Sequence, residues 1–467
     1  MQSLLSRSGA IASLCFLSQL PAQANWVQPT FVTPTPGGRY LFGFAYDSHS
    51  NHAVLFGGRM FGGTYTNQTW QYDGSGWLQL TPSSSPPGIA TNAMVYDSAR
   101  RRMVLFSGEN SFGFWNETWE FDGNAWLQRF PTTSPPARNG CACVYDPVRR
   151  RVVIFGGWDG TRRNDTWEYD GTDWAQIFTA NTPVGRSDHL MAYDEGRNCA
   201  VLYGGYNDVS QFLGDTWEYD GVDWVQRFPA NSAGPLADPA MVYDRGRGRV
   251  VLFGGKASWF TPNTNATYEY DGTTWTDLTP TLSAAPSGRW VAQMVYDEAR
   301  GRTIAFGGID NFNQFPGDTW ELVTPNVALH RTFGHGCPGT AGTPQLLVAA
   351  NGMPRLGSSW QLELQNLPVT PGTISTFAFG LSNTSTGALA LPLPLAAAGM
   401  PGCTLFVSPD VVVATFANTG VAAAGLAIPA GTGLIGLHVF VQGGVLDPGA
   451  NPAGLVLSEA ADGRIGI

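Results

Sequence analysis

Short apolar runs recur along the chain roughly every 50 residues, and each follows a Tyr-Asp pair. A polar turn separates the pair from the apolar run, which ends in glycine, as in Phe155-Gly156-Gly157. Apolar runs of this length between turn residues predict strands that are buried on both faces. The pairs begin at Tyr46, Tyr96, Tyr145, Tyr193, Tyr243 and Tyr296.

Each repeat continues with an alternating strand and then a tryptophan. In the third repeat, Trp167 and Tyr169 fall on one side of a strand because side chains alternate. An Asp-Gly pair follows and predicts a tight turn, since glycine readily adopts positive φ. The tryptophan after this turn, Trp174, opens a fourth strand. Six such four-stranded units predict an all-β chain with a six-bladed β-propeller.

The sixth repeat ends at Trp320-Glu321-Leu322 without an Asp-Gly pair and a further tryptophan. The missing strand is supplied at the other end of the chain. Trp26 precedes Tyr46 by about the same interval that separates Trp77 from Tyr96. We therefore expect the N-terminal strand to complete the last blade, which removes an unpaired edge from the ring.

The double glycine after an apolar strand, the Thr-Trp-x-Tyr-Asp-Gly segment and the later tryptophan resemble kelch repeats. They are similar to those of galactose oxidase-type propellers and bacterial kelch proteins, and the resemblance covers about residues 25–325. It implies a kelch-type propeller that serves mostly for binding, with a minority of enzymes. Ser107 replaces the first glycine in the second repeat, and Tyr268 replaces tryptophan in the fifth.

The first 24 residues have the pattern of a signal peptide. Arg7 precedes a modest apolar stretch, and Ala22-Gln23-Ala24 fits a cleavage site of small residues. We therefore expect a secreted protein, located outside the cell or on its surface. No run of 18 apolar residues follows, so the sequence predicts no membrane span.

The repeat stops near Val327, and the composition shifts toward alanine, glycine, leucine and valine. Segments such as Trp360 to Leu364 alternate between Gly/Pro turns, so we expect a small β-sandwich over residues 326–467. Cys337 and Cys403 are the two cysteines of this region, and export predicts a disulfide between them. Attachment to the cell surface and a passive stabilising role are the two functions considered for this domain.

Three cysteines remain in the propeller. Cys141 and Cys143 lie two residues apart on one strand, so they do not pair with each other. Either of them could approach Cys199 on the next blade, and the sequence leaves this pairing open.

The overall charge narrows the classes of partner. The formal net charge is −10 and the sequence pI is about 5.0. Nucleic acids and anionic membranes both require a basic surface, so neither is an expected partner. A glycan or a protein remains as the expected ligand.

The loops between the second and third strands are long and differ from one another. They emerge at one end of an antiparallel blade and carry aromatic residues beside Asn and Asp, a combination that suits stacking on sugars or gripping a peptide. The alternative is that the aromatics fold back over the blade edges. The candidate ligand-binding aromatics are Trp115, Trp158, Tyr206 and Trp259.

Four repeats carry an arginine seven residues before the repeat tyrosine, where the other two have Ile89 and Leu236. One interpretation is a cationic ring that holds a carboxylate or sulfate. The other, which the repeat-locked register favours, is that each arginine bonds backbone carbonyls of the double-glycine loops. The four residues are Arg39, Arg138, Arg186 and Arg289.

No catalytic motif is evident. A copper oxidase needs two histidines at one metal, and only His189 is expected near the loop-rich face. We find no metal-ligand spacing, phosphate loop or nucleophile elbow, so we predict no cofactor, metal or catalytic residue. The leading hypothesis is a non-catalytic binding or scaffold propeller. A carbohydrate-active enzyme that combines the arginines with an acid such as Glu109 is the alternative.

Overall fold

The computed structural model describes residues 24–31, 34–90, 93–209, 211–324, 328–349, 352–370, 372–387, 389–417, 419–430 and 434–466. The predicted signal peptide lies outside these residues except for Ala24. Within them, regular structure is almost entirely β, with three short 3-10 helices at Phe61–Gly63, Thr279–Thr281 and Ala396–Ala398. No described helix is long and apolar enough to cross a membrane. The prediction of an all-β chain is confirmed.

The described residues before 325 contain six four-stranded antiparallel sheets, which we call blades 1 to 6 in order of their first strands. The first strands are Gly43–Asp47, Met94–Asp97, Ala142–Asp146, Leu190–Asp194, Ala240–Asp244 and Gln293–Asp297. The second strands are His52–Phe56, Arg102–Asn110, Arg151–Phe155, Cys199–Tyr203, Arg249–Phe253 and Arg302–Phe306. The third strands are Thr69–Tyr72, Gly113–Phe121, Thr166–Tyr169, Thr216–Tyr219, Thr267–Tyr270 and Thr319–Val323. The fourth strands are Trp77–Leu80, Trp126–Arg129, Trp174–Ile177, Trp224–Arg227, Trp275–Asp277 and Asn25–Val27.

The blades form a closed ring. Each first strand contacts the first strand of the next blade, and Gln293–Asp297 of blade 6 contacts Gly43–Asp47 of blade 1. The strand Asn25–Val27 pairs antiparallel with Thr319–Val323, placing Trp26 opposite Leu322. The N-terminal strand therefore occupies the outer edge of blade 6, where the sequence places it.

A tryptophan joins each blade to its neighbour. The fourth-strand indole is buried and donates a hydrogen bond to the first threonine of the third strand in the preceding blade, over 2.9–3.0 Å. This bond recurs at all six joints between blades 1 to 6. The pairs are Trp26–Thr267, Trp77–Thr319, Trp126–Thr69, Trp174–Thr118, Trp224–Thr166 and Trp275–Thr216.

Blade 2 departs from the pattern. Its second and third strands extend into one long hairpin, whereas the sequence predicts a loop over Glu109 to Glu117. The double glycines of the other blades adopt positive φ, for example 64° and 101° at Gly156 and Gly157, and this ends their second strands. Ser107 stands in place of the first glycine and continues the strand, because an L-residue favours extended backbone over positive φ.

The C-terminal part contains two sheets packed face to face around the buried side chain of Trp360. The predicted sandwich and the Cys337–Cys403 disulfide are both confirmed. The five-stranded sheet has the order Leu329–Phe333, Leu455–Arg464, His438–Leu446, Ile374–Gly380 and Val411–Phe416. The three-stranded sheet has the order Gln345–Val348, Ser359–Gln365 and Ala422–Ala427. Two-residue pairs complete the fold at Arg39–Tyr40 with Arg59–Met60, Arg289–Trp290 with Ile309–Asp310, Ser385–Thr386 with Leu389–Ala390, and Leu393–Pro394 with Thr404–Leu405.

The C-terminal sheets contact one end of the ring. Arg245, in the turn after the first strand of blade 5, donates to the carbonyl of Val348 over 3.1 Å, and Arg355 donates to the carbonyl of Gly246 over 2.9 Å. A cavity of about 480 Å³ lies between the two parts and is lined by the repeat tyrosines. The domain boundary at residue 325 stays a prediction.

Candidate functional site

The two ends of the ring differ in what they expose. The first strands begin, and the loops between second and third strands emerge, at one end, which we call the loop face. Backbone bridges such as Asn139 with Trp158 and Ser187 with Tyr206 join these two elements. The opposite end, the turn face, carries the turns after the first and third strands and meets the C-terminal sheets. A ligand that approaches the loop face therefore meets residues from all the blades.

The four predicted arginines are buried at the start of their blades, with exposed fractions of 0–3%. Arg186 donates to the carbonyl of Gly204 and makes a bidentate pair with Asp215 over 2.7 and 2.8 Å. Arg138 pairs with Asp165, and Arg289 with Asp318, in the same way. Burial raises the pKa of each aspartate, but the hydrogen bonds from arginine outweigh this, and the pKa of each is lowered.

Arg39 differs from the other three because Gln68 takes the place of the aspartate. Its guanidinium donates to the side-chain oxygen of Gln68 over 2.8 Å and to the carbonyl of Gly57 over 3.0 Å. Burial lowers the pKa of Arg39 to about 10. The interpretation of the four arginines as a cationic ligand ring is wrong, because each is buried and its donors are used within its own blade. The second interpretation, in which they hold the glycine loops, agrees with the structure.

Two of the four predicted aromatics meet on the loop face. The ring of Tyr206 lies 5.5 Å from that of Trp259, and Phe212 contacts both. Trp259 also contacts Trp290, whose ring centroid is 6.1 Å away. Trp290 follows the buried Arg289, and its position outside the variable loops explains why sequence reasoning missed it.

Two cations lie over this aromatic cluster. The guanidinium of Arg162 is 4.3 Å from the centre of the Tyr206 ring. The ammonium of Lys256 is 4.7 Å from Trp290 and 5.3 Å from Trp259. We call Tyr206, Phe212, Trp259 and Trp290, with these two cations, the aromatic band.

The other two predicted aromatics lie apart from the band's centre. Trp158, with 37% of its surface exposed, makes an edge contact with Phe114 of the blade 2 hairpin at 5.2 Å. It also bridges through its backbone to Arg162, which joins it to the band. Trp115 is half-buried in the hairpin opposite Gly108, so it is part of a sheet rather than of a loop.

Phenylalanines protrude from the loops around the band. Four loops of the loop face, in blades 1, 2, 5 and 6, each carry one with at least 81% of its surface exposed. Large apolar side chains exposed on several loops of one face are a feature of interaction sites. The four residues are Phe61, Phe112, Phe260 and Phe312.

Two aspartates lie side by side where the first strands of blades 4 and 5 begin. Asp188 and Asp238 occupy equivalent positions, both with left-handed backbone at φ of 60° and 49°. The backbone amide of Asp238 donates to the carbonyl of Asp188 over 2.8 Å, and the amide of Asp188 donates to Gly140. These bonds join successive blades at the start of their first strands, which contact one another around the ring axis. The two aspartates therefore lie at the mouth of the central channel. The sequence pattern gave no indication of this pair.

The protein-family comparison matches residues 9–179 to a model described as the KLHDC2/KLHL20/DRC7 Kelch-repeats domain. The matched residues fit a kelch-repeat propeller. The match and the repeated four-stranded sheets confirm the resemblance seen in the sequence. A kelch-repeat domain indicates a non-catalytic binding propeller, and kelch domains typically bind proteins. No curated protein matches this chain.

On the turn face of the propeller, arginines pair with buried carboxylates and contact tyrosines of the next blade. Arg100 joins the buried Asp97 of the first strand to Glu120 of the third, over 2.7 and 2.5 Å, and lies over the ring of Tyr169 in the next blade. Arg149 repeats the arrangement with Tyr219. Turns of the Asp-x-x-x-Arg type, such as Asp97 to Arg102, predict solvated hairpins with local ion pairs. That prediction is wrong, because the acidic partners are buried and the arginines link neighbouring blades.

The cysteines of the kelch propeller are not disulfide-bonded. Cys141 and Cys143 lie at the start of blade 3, and Cys199 lies in the second strand of blade 4. Burial raises the pKa of the Cys199 thiol to about 12, so it is a thiol at neutral pH. The expected approach of Cys141 or Cys143 to Cys199 does not produce a disulfide in this structure. The described residues contain no group of three or more His, Cys, Asp or Glu side chains arranged for a metal.

Proposed function

We propose that this chain is a non-catalytic binding protein whose kelch propeller takes a protein ligand on its loop face. The observation that carries the proposal is the exposure of large aromatic side chains on the same face as the aromatic band. Phe260 is 96% exposed and Phe112 is 92% exposed, on loops of different blades. Exposed aromatic side chains lose water when a partner covers them, and this is the main source of affinity at protein interfaces.

Three further exposed phenylalanines occur at the same end of the ring. Each follows the fourth strand of its blade, at the same end as the loops, and is at least 83% exposed. The three residues occupy equivalent positions in three consecutive blades. They are Phe130, Phe178 and Phe228.

The proposed test is selection of peptide ligands from a displayed random library, run beside a glycan array. The proteins are the chain from Asn25 onward, Trp259→Ala, and the double variant Phe260→Ala/Phe312→Ala. Val222→Ala is the matched control, since Val222 is 74% exposed in a turn of the opposite face. We expect selected peptides to bind the unmodified chain and Val222→Ala equally, and at least ten-fold more weakly to the two loop-face variants.

Two outcomes would count against the proposal. Peptides that bind all four proteins with equal affinity would move the ligand away from the loop face. Binding on the glycan array that Trp259→Ala abolishes, with no peptide recovered, would identify a glycan as the ligand of the same face. Secretion and cell-surface attachment through the C-terminal sheets stay predictions, and fractionation of the producing cells would test both.

A further inference from the structure

Of the two aspartates at the channel mouth, Asp238 lacks the partners that buried carboxylates normally have. Asp238 is 5% exposed, and its Oδ1 atom accepts no hydrogen bond among the described residues. Asp188 accepts one hydrogen bond, from the hydroxyl of Ser187 over 2.8 Å. Buried carboxylates are almost always paired or fully hydrogen-bonded, so an unpartnered oxygen at a channel mouth indicates a place for a ligand group.

The cations of the loop face are engaged elsewhere. The charge of Arg162 lowers the pKa of Asp188, but its guanidinium pairs with Asp208 over 3.1 Å and lies over the ring of Tyr206. Lys256 is held over two indole rings. The charge that Asp238 experiences comes from Asp188, which has the same sign. With both carboxylates ionised, the pair would carry negative charge at a point where the chain offers little compensation.

The aromatic band borders the aspartate pair directly. Ser187, the residue before Asp188, bridges through its backbone to Tyr206, and Ala237, the residue before Asp238, bridges to Lys256. A group that reaches the aspartates therefore passes beside aromatic rings. Such rings favour the aliphatic stem and the charged head of a lysine or arginine side chain. The position of Lys256 over Trp259 and Trp290 shows that these rings accept a cation.

We propose that Asp188 and Asp238 form an acceptor site for one lysine or arginine side chain of the protein ligand, inserted at the mouth of the channel. This rests on the proposed function of the loop face and specifies the chemistry of its partner. An ammonium or guanidinium supplies the donors that Asp238 lacks and neutralises the pair. A divalent metal ion fits less well, because such ions take more oxygen ligands than two carboxylates supply.

The raised pKa values of the two aspartates support a binding site for a cationic side chain. Burial raises the pKa of Asp238 well above its ordinary value, and the charge of Asp188 raises it further. Burial also raises the pKa of Asp188. Ionisation of both carboxylates therefore costs free energy, which a bound lysine or arginine side chain would offset.

The experiment measures binding of small probes by calorimetry. The probes are N-acetyl-arginine amide, N-acetyl-lysine amide, the uncharged N-acetyl-norleucine amide, and calcium chloride. The proteins are the chain from Asn25 onward, Asp238→Asn, and Asp188→Asn/Asp238→Asn. Asp277→Asn is the control, since it removes one exposed carboxylate from an outer strand. Melting curves confirm that each variant is folded, and Asp238→Asn keeps the shape of the protonated side chain.

We expect saturable binding of at least one charged amino-acid probe, at least ten-fold weaker in Asp238→Asn and unchanged in Asp277→Asn. The norleucine probe should not bind. Equal binding to the unmodified chain and to Asp238→Asn would overturn the proposal, and so would calcium binding with no response to either charged probe. Absence of binding by every probe would overturn it as well.

Probe binding and peptide binding together distinguish failure of the cation site from failure of the loop-face partner. If the charged probes require Asp238 but Trp259→Ala leaves every selected peptide bound, the cation site stands and the loop-face partner is wrong. If peptides require Trp259 but bind Asp238→Asn as tightly as the unmodified chain, the partner surface stands and the cation site is wrong.

Discussion

The indole of Trp26 donates a 3.0 Å hydrogen bond to the hydroxyl of Thr267, although the two residues lie 241 positions apart. Trp26 belongs to the N-terminal strand that completes blade 6, and Thr267 belongs to blade 5. The same bond joins Trp126 to Thr69 within the interior of the chain. The joint that depends on the N-terminal strand is therefore built like the others.

Replacement of Thr267 with valine should destabilise the ring as much as the same change at Thr69. Each change leaves a buried indole N–H without an acceptor, which costs about 1–3 kcal/mol of unfolding free energy. Chemical denaturation of both variants measures this. Deletion of residues 25–36 should lower the melting temperature further, because it removes the whole strand. A Thr267→Val variant as stable as the unmodified chain, beside a destabilised Thr69→Val, would show that the N-terminal strand is not paired in solution.

A glutamate at position 68 should stabilise blade 1. Arg39 is buried without a carboxylate, whereas its counterpart Arg186 pairs with Asp215. Gln68→Glu keeps the acceptor geometry and adds the missing charge, so we expect the unfolding free energy to rise by about 1–2 kcal/mol. The comparison variant is Asp215→Ala, which should lower it by about 3–5 kcal/mol because Arg186 is left buried and unpaired. A decrease for Gln68→Glu would contradict this account.

The stability of the chain should depend on pH through Asp238. Its folded pKa is raised above the unfolded value of about 3.9. The folded protein therefore holds a proton that the unfolded chain has released, and stability falls as pH rises from about 4 through the folded pKa. The charge of Asp188 raises the pKa of Asp238, while Glu109 raises and Arg162 lowers the pKa of Asp188. Together these charges set the pH at which the loss of stability is complete.

Asp238→Asn removes this pH dependence, because asparagine does not titrate. Urea denaturation at several pH values between about 4 and 9 should show the unmodified chain losing stability relative to the variant as pH rises. Parallel profiles for the two proteins would mean that Asp238 is ionised or solvated in the folded state.

Thiol counting should separate the C-terminal disulfide from the other cysteines. A chain that begins at Asn25, denatured without reductant, should release three reduced thiols, from Cys141, Cys143 and Cys199, and five after reduction. Cys337→Ser/Cys403→Ser should lose about 4 kcal/mol of stability, since the bond closes a long loop in the unfolded chain. One thiol before reduction would indicate a second disulfide, within the propeller.

The arginine pattern shows how a structural pair can resemble a ligand site in a sequence. Arg138, Arg186 and Arg289 each occur in a blade that has an aspartate before its Thr-Trp strand. The two blades without the arginine have Glu117 and Ala266 at that position. This association within each repeat was visible in the sequence and indicates an internal pair. The partners lie far apart along the chain and meet only when the blade folds, so the arginine alone resembles a ligand-binding residue.

The sequence by itself determined the repeat, the position of the N-terminal strand and the strands of the blades, apart from the long hairpin of blade 2. These depend on side-chain alternation, on turn glycines and on counting, all of which are local or periodic properties. The tertiary structure decided which loop residues meet, including Tyr206 with Trp259 and Asp188 with Asp238. Such contacts depend on the curvature of the ring, which brings successive blades together around an axis, and no single repeat encodes that curvature.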